Sequence, residues 1–161
     1  MQTATYAARA QPVPGQSEAP PVLRHGNPPV FEHFGKPTEQ VSQIERLIRN
    51  YKASGYSTIA IIGRNPVELK RIQKSLPIDL NAHILNTDSA TYTGGVTIAP
   101  ATGIKGLEFD CVIISDASKT QWPNQPLDGR LLYVSLTRPL HELAILYSGE
   151  LTGLLREAVR G

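Results

Sequence analysis

Two short segments hold most of the reactive chemistry available to this sequence. Gly103-Ile104-Lys105-Gly106-Leu107-Glu108-Phe109-Asp110 sets two glycines three apart around a lysine, adds a carboxylate and runs into an apolar stretch. Leu131-Leu132-Tyr133-Val134-Ser135-Leu136-Thr137-Arg138 is an apolar segment that delivers one arginine at its end. Glycine lets backbone approach an anion closely, lysine brings charge, and a guanidinium grips phosphate through two parallel hydrogen bonds. A glutamate beside such a loop can accept from ribose hydroxyls. These are parts for the rim of a phosphate site. Arg64, at the end of Thr58-Ile59-Ala60-Ile61-Ile62-Gly63, offers a second guanidinium. Each part also has a plainer use: a turn between strands needs glycine, Glu108 can be a surface acid, and either arginine can pair with a carboxylate. What favours a site is position, because both arginines end apolar elements expected to point to one sheet edge.

Other chemistries find no constellation. His25, His33, His83 and His141 lack metal-ligand spacing and Cys111 sits inside an apolar run, so no metal site is expected. No Ser/His/Asp set is visible. A Gly-x-x-Gly loop clamps nucleic-acid backbone in KH domains, but there it joins helices, whereas here it joins strand to strand. Asp116 follows Val112-Ile113-Ile114 as a magnesium-binding aspartate would, yet no Gly-x-x-x-x-Gly-Lys-[Ser/Thr] loop accompanies it.

The elements that must position these residues follow from periodicity. Residues 1–29 are rich in Pro, Ala, Gln and Ser and predict an extended or disordered tail, with the folded domain over 30–161. Val30-Phe31-Glu32-His33-Phe34 alternates as a strand. Thr38 is expected to cap a helix with the apolar face Val41, Ile44, Leu47, Ile48 and Tyr51, closed by Gly55. Thr58 to Ile62 is apolar throughout, the mark of a strand buried on both faces. Asn65 then caps a second helix with Pro66 at its first position, Glu68 completing a capping box and Pro77 stopping it. Strands are expected at His83 to Asn86, Val96 to Ala99, Asp110 to Ile114 and Leu143 to Tyr147. A polar loop from Ser115 to Pro126, a helix from about Asp128 to Leu136, and a terminal helix through Leu151, Leu154 and Leu155 complete the reading. Apolar strands alternating with helices predict a mostly parallel sheet covered on both sides, with ligands beyond the carboxyl ends of its strands. Arg64 and the Gly103–Gly106 loop are expected there.

Composition bounds the rest. The 161 residues make one domain with a sizeable core, 40% hydrophobic and 19% charged. A formal charge of +2 gives no one-signed field, so any nucleic-acid contact must be local. A single cysteine excludes an internal disulfide framework and fits a reducing cytosol. Residues 1–10 lack the apolar core of a signal peptide, and no run approaches a membrane span, so a cytoplasmic chain without membrane contact is expected.

At this point the sequence acquires a family likeness. Lys105-Gly106-Leu107-Glu108-Phe109-Asp110 followed by Val112-Ile113-Ile114 resembles motif V of the UvrD/Rep helicases of superfamily 1. Leu132-Tyr133-Val134-Ser135-Leu136-Thr137-Arg138 looks like their motif VI, and Tyr56 to Arg64 is similar to motif IV. Order and spacing match the second RecA-like motor domain of that family, over about Tyr56 to Tyr147. Ala99-Pro100 and Thr137-Arg138-Pro139-Leu140-His141-Glu142-Leu143 look most like the HelD branch.

The resemblance implies a three-layer α/β RecA-like domain of the P-loop NTPase type, with a mostly parallel sheet and no P-loop of its own. ATP would lie in a cleft between this domain and an N-terminal P-loop motor domain of the same protein, which would also hold the Mg2+ ligands. By motif match Arg138 would be an arginine finger and Arg64 its companion. Gly106 would bring its backbone to the phosphates with Lys105 beside it, and Glu108 would hold the ribose. Thr102 and Gly103, with Lys105, lie where motif V also meets single-stranded DNA. The implied partners are single- or double-stranded DNA or, through the HelD branch, RNA polymerase. The parent would be a DNA-stimulated ATPase and helicase, and this chain alone inactive. Three departures stand out: Thr102 where many relatives have histidine, Pro139 after the motif VI arginine, and the missing P-loop. The rival expectation is a non-catalytic RecA-like module that binds nucleic acid or protein.

Overall fold

Among the described residues each α-helix starts on a proline, Pro37, Pro66 or Pro126, whose fixed φ and missing N–H suit the first helical position. Between them run apolar strands too continuous to face water. The computed structural model describes residues 27–85 and 94–155. In chain order it contains β1 (Val30–His33), α1 (Pro37–Ala53), β2 (Thr58–Gly63), α2 (Pro66–Ser75), β3 (His83–Ile84), β4 (Gly95–Pro100), β5 (Phe109–Ile114), α3 (Pro126–Leu136) and β6 (Pro139–Tyr147). Short 3-10 turns occupy Ile78–Leu80 and Ala101–Gly103.

The sheet order is β1-β6-β5-β2-β4-β3, and every neighbouring pair is parallel. The path steps one way across the sheet from β1 through β2 to β3, then back from β4 through β5 to β6. Reversing the direction of travel transfers the connections to the other face, given one crossover handedness. Accordingly Ile44 and Ile48 of α1 and Leu69 and Ile72 of α2 pack with Ile59, Ile61, Cys111 and Ile113. On the opposite face Leu132 and Leu136 of α3 pack with Ala60, Ile62, Val112, Ile114 and the fully buried Trp122. Alternate residues of β2 and β5 thus feed two cores, which is why both strands are apolar throughout. Burying one isoleucine side chain fully contributes about 1.5–3 kcal/mol, so these two strands anchor the domain. Cys111 lies wholly inside, and burial pushes its thiol up to about 12.

The sequence expectations hold for the α/β class and the mostly parallel sheet covered on both faces. Several local ones do not. Thr38 is not the cap of α1: the helix begins at Pro37 behind an extended Lys36 with no side-chain cap, because proline itself suits the start. Asn65 does cap α2, accepting from the Val67 N–H at 2.9 Å, but Glu68 does not reach back to close a capping box. It instead accepts from the Ser115 hydroxyl at 2.7 Å, and burial raises its carboxyl above the ordinary range. β6 is longer than expected and starts on Pro139, tolerable because a strand's first residue needs no donor. Leu151 lies in an antiparallel bridge to Ser118 and residues 153–155 form a turn, so the described part of the expected terminal helix is not helical. The tail over 1–26 and residues 86–93 and 156–161 lie outside the described residues.

Gly63 closes β2 where backbone meets side chain at close quarters. A Cβ built there would stand 2.5 Å from the Ser115 hydroxyl oxygen and 2.9 Å from a Leu69 methyl. The hydroxyl is fixed by Glu68 and cannot swing aside freely. Gly63→Ala is therefore expected to cost about 1–3 kcal/mol, the size of an overpacking defect. A urea-unfolding midpoint equal to that of the parent sequence would refute the constraint.

Candidate functional site

In a parallel sheet all strands enter at one edge and leave at the other, so the site residues are best placed by edge. The amino edge carries the end of the glycine loop. Ile104 is fully buried and holds the middle of the connection, and the Leu107 N–H closes a turn on its carbonyl at 3.0 Å. Gly106 sits in that turn at φ +84, a conformation that side chains resist. Lys105, Gly106 and Glu108 are exposed around it. Phe109 then enters β5, where it pairs with Pro139 and donates its N–H to the Arg138 carbonyl at 3.1 Å.

Arg138 leaves the last turn of α3 at this same edge. Its Nε donates to the Val134 carbonyl, one terminal nitrogen to the Leu107 carbonyl and the other to the Thr137 hydroxyl, each at 3.2 Å. All three acceptors are neutral. Among the described residues no ion pair includes Arg138, Lys105 or Glu108. The geometry therefore joins Arg138 to the glycine loop and leaves its charge uncompensated.

Arg64 is elsewhere, and the expectation that the two guanidiniums share a sheet edge is overturned. Arg64 follows the carboxyl end of β2, where Gly63 pairs with Pro100, whereas Arg138 precedes the amino end of β6. The two arginines touch opposite ends of α3, whose 11 residues span about 16 Å. Nor is Arg64 free. Its terminal nitrogen lies 2.8 Å and its Nε 3.0 Å from one oxygen of Asp128, in the first turn of α3. The guanidinium carbon stands 5.6 Å from the centre of the Trp122 ring. Asp128 is only 7% exposed, so the pair is largely removed from water. Asp128 and Trp122 were not singled out in the sequence. A first-turn acid and a lone tryptophan in a polar loop were the available signals.

The glycine loop also proves not to be a tight turn at the carboxyl edge. β4 and β5 both run parallel to β2 on either side of it, so the connection must recross the sheet. Thr102, exposed, and Gly103, half-buried, lie just beyond the carboxyl end of β4, while Gly106 and Glu108 lie at the amino edge. Thr102 and Gly103 therefore do not stand with Arg138. Asp116 is committed internally: it accepts from the Ser118 and Ser148 N–H groups at 3.1 and 3.0 Å and from the Ser148 hydroxyl at 2.9 Å. Among the described residues no three His, Cys, Asp or Glu side chains are grouped to hold a metal.

Beside the amino edge, on the α1 face, Tyr56 stacks on His141 with ring centroids 5.3 Å apart. Asp110 ties the starts of two strands together, one oxygen accepting from the Ser57 and Thr58 N–H groups at 3.0 and 3.2 Å. Burial pushes its carboxyl up, but these backbone donors and the nearby hydroxyls outweigh burial and hold it below the usual carboxylate range.

Comparison with known proteins bears on the same segments. Residues 101–146, from the recrossing connection through β6, match the family model of the UvrD-like helicase C-terminal domain. The fold is that of a helicase C-terminal RecA-like domain. Over 96% of this chain and 89% of the other, it is similar to the C-terminal domain of a possible DNA helicase from Lactobacillus plantarum WCFS1, with a TM-score of 0.78 and 25% identity. A more distant likeness is to the Pyrococcus furiosus Hef helicase domain, covering 76% of this chain and 27% of that one, with a TM-score of 0.46 and 15% identity. No curated protein matches the chain.

Two outcomes follow from the electrostatics. Arg64→Ala strands the Asp128 carboxylate and is expected to cost about 2–4 kcal/mol, whereas Arg138→Ala, which breaks only bonds to neutral acceptors, costs about 1 kcal/mol. Equal losses in urea titrations would contradict this assignment of the two charges. Asp110, with its folded pKa depressed, stabilises the fold at pH above the ordinary carboxylate value of about 3.9 and loses that contribution as pH falls through it and below. Asp110→Asn should flatten the unfolding midpoint against pH in that window. An unaltered profile would show that the Ser57 and Thr58 bonds do not act as described.

Proposed function

We propose that the chain is the second motor domain of an ATP-driven DNA helicase or translocase, with its amino sheet edge facing a nucleotide held against a P-loop domain. The observation that carries this is Arg138: half-buried, bonded to the Leu107 carbonyl of the glycine loop, and without a carboxylate partner among the described residues. A purely structural arginine at such a place would be neutralised, as Arg64 is. The match of residues 101–146 to the UvrD-like helicase C-terminal domain and the likeness to a possible DNA helicase support the same reading.

The residues present fit a nucleotide. Arg138 would set its guanidinium against the terminal phosphate, where negative charge grows as the phosphoryl group departs. Gly106, at positive φ, lets backbone come close to phosphate oxygens without a side chain in the way. Lys105 adds charge at the same rim, and the exposed Glu108 accepts from ribose hydroxyls. Bound ATP with Mg2+ supplies the phosphoryl transfer that drives the motor, and the Mg2+ ligands belong to the other domain. Thr102 and Gly103, at the opposite end of the same connection, face the DNA track. In this reading Arg64, paired with Asp128 at the other edge, makes no phosphate contact, unlike the companion role that the motif IV resemblance implied. A target on RNA polymerase rests on the likeness of two segments to the HelD branch alone, and no feature of the site favours it over DNA.

The test joins this chain to a P-loop motor domain of the same protein and compares ATP hydrolysis with and without Arg138→Ala. Loss of about two to four orders of magnitude is expected, with ATP binding less affected, as for an arginine that acts mainly in the transition state. The 161-residue chain by itself should show negligible turnover. Undiminished hydrolysis in the Arg138→Ala protein would sink the reading.

A further inference from the structure

Arg64 and Arg138 hold the two ends of one helix. The start of α3 has no side-chain cap at Gln125, and its first turn is tied outward through Asp128, whose two short contacts both come from Arg64. The end of α3 gives its Val134 carbonyl and the Thr137 hydroxyl to the Arg138 guanidinium. Between them the grip is apolar, through Leu132 and Leu136 on the sheet. Apolar contact is non-directional and tolerates small movement along the helix axis. Two guanidinium nitrogens closed on one carboxylate oxygen do not, least of all with the cation set over the Trp122 ring and the acid nearly out of water. A helix is stiff along its axis, so a shift at Asp128 is delivered to Val134 and Thr137.

We propose that Arg64 is a positioning residue: through Asp128 it fixes the axial placement of α3, and thereby the aim of Arg138 at the far end. The inference rests on the reading of Arg138 as the phosphate-facing arginine and gives Arg64 a different task from the one its sequence context suggested. Arg64 acts at the carboxyl edge of the sheet on a group that works at the amino edge. The linkage is mechanical and exists before any nucleotide binds.

The experiment uses this chain with 15N-labelled arginine and reads the Arg138 Nε–Hε signal, its position and its hydrogen-exchange rate, in the unliganded protein. Arg64→Met, Arg64→Lys and Asp128→Asn are compared with the parent sequence at temperatures where far-UV circular dichroism shows all of them folded. Exchange at the Arg138 Nε–Hε should quicken by about tenfold in Arg64→Met and Asp128→Asn, with Arg64→Lys between, as a loosened local opening would give. If Arg64→Met does not fold, the isosteric Asp128→Asn carries the comparison. An Arg138 signal unmoved in position and exchange while thermal midpoints fall would overturn the proposal and leave Arg64 an ordinary stabilising ion pair. Failure of the nucleotide reading is seen separately, as intact hydrolysis in Arg138→Ala, and does not alter what the unliganded spectra decide.

Discussion

An all-parallel sheet obliges every connection to recross it from carboxyl edge to amino edge, and this constraint organises the whole domain. Most connections do so as helices lying on a face. The one from β4 to β5 does so over residues 101–108, with a 3-10 turn at its start and a second turn at Gly106. A strand of six residues is about 20 Å long and the strand skipped in passing adds sideways travel, against a maximum reach of about 3.3–3.6 Å per residue. The connection therefore has little length to spare beyond its two turns, and the buried Ile104 fixes its middle. The recrossing explains how one short segment shows Thr102 at one edge and Gly106 at the other.

The two arginines illustrate how environment, not residue type, assigns a role. Both follow apolar elements and both are partly shielded. Arg64 meets a carboxylate and an indole and has no charge left to offer. Arg138 meets two carbonyls and a hydroxyl, which take three of its five N–H groups and leave its charge intact. A cation tethered by neutral acceptors but not neutralised is held in place and still attracts an anion. That is the condition a transition-state contact requires.

The sequence made the fold legible because β2, most of β5 and the second half of β6 are apolar as a doubly covered parallel sheet requires, and because Asn65 and Pro66 mark a helix start. The glycine loop and the Leu-Thr-Arg ending of α3 were legible as segments to be read together, and the Arg138 guanidinium does bond to the Leu107 carbonyl. What escaped was the edge on which each residue stands. Arg64 and Arg138 both border apolar elements, but one leaves a strand and the other enters one. The parallel arrangement turns that difference into a sheet's width. Asp128 could not be read as Arg64's partner, since 64 positions separate them and only the return of α3 across the sheet brings them together. The capping box failed for a comparable reason: Glu68 had a partner in Ser115, remote in the chain and close in space.

The indole of Trp122 is the only one in the chain, sealed from solvent, with its N–H unpaired among the described residues and a guanidinium above its face. Tryptophan emission from this chain, excited beyond the absorption of its tyrosines, thus originates at a single address, where the loop after β5 meets the head of α3. A cation over the ring perturbs its excited state, so intensity and wavelength register whether that charge is seated. The molecule carries its own optical gauge of the joint between β2 and α3, without a dye or a label.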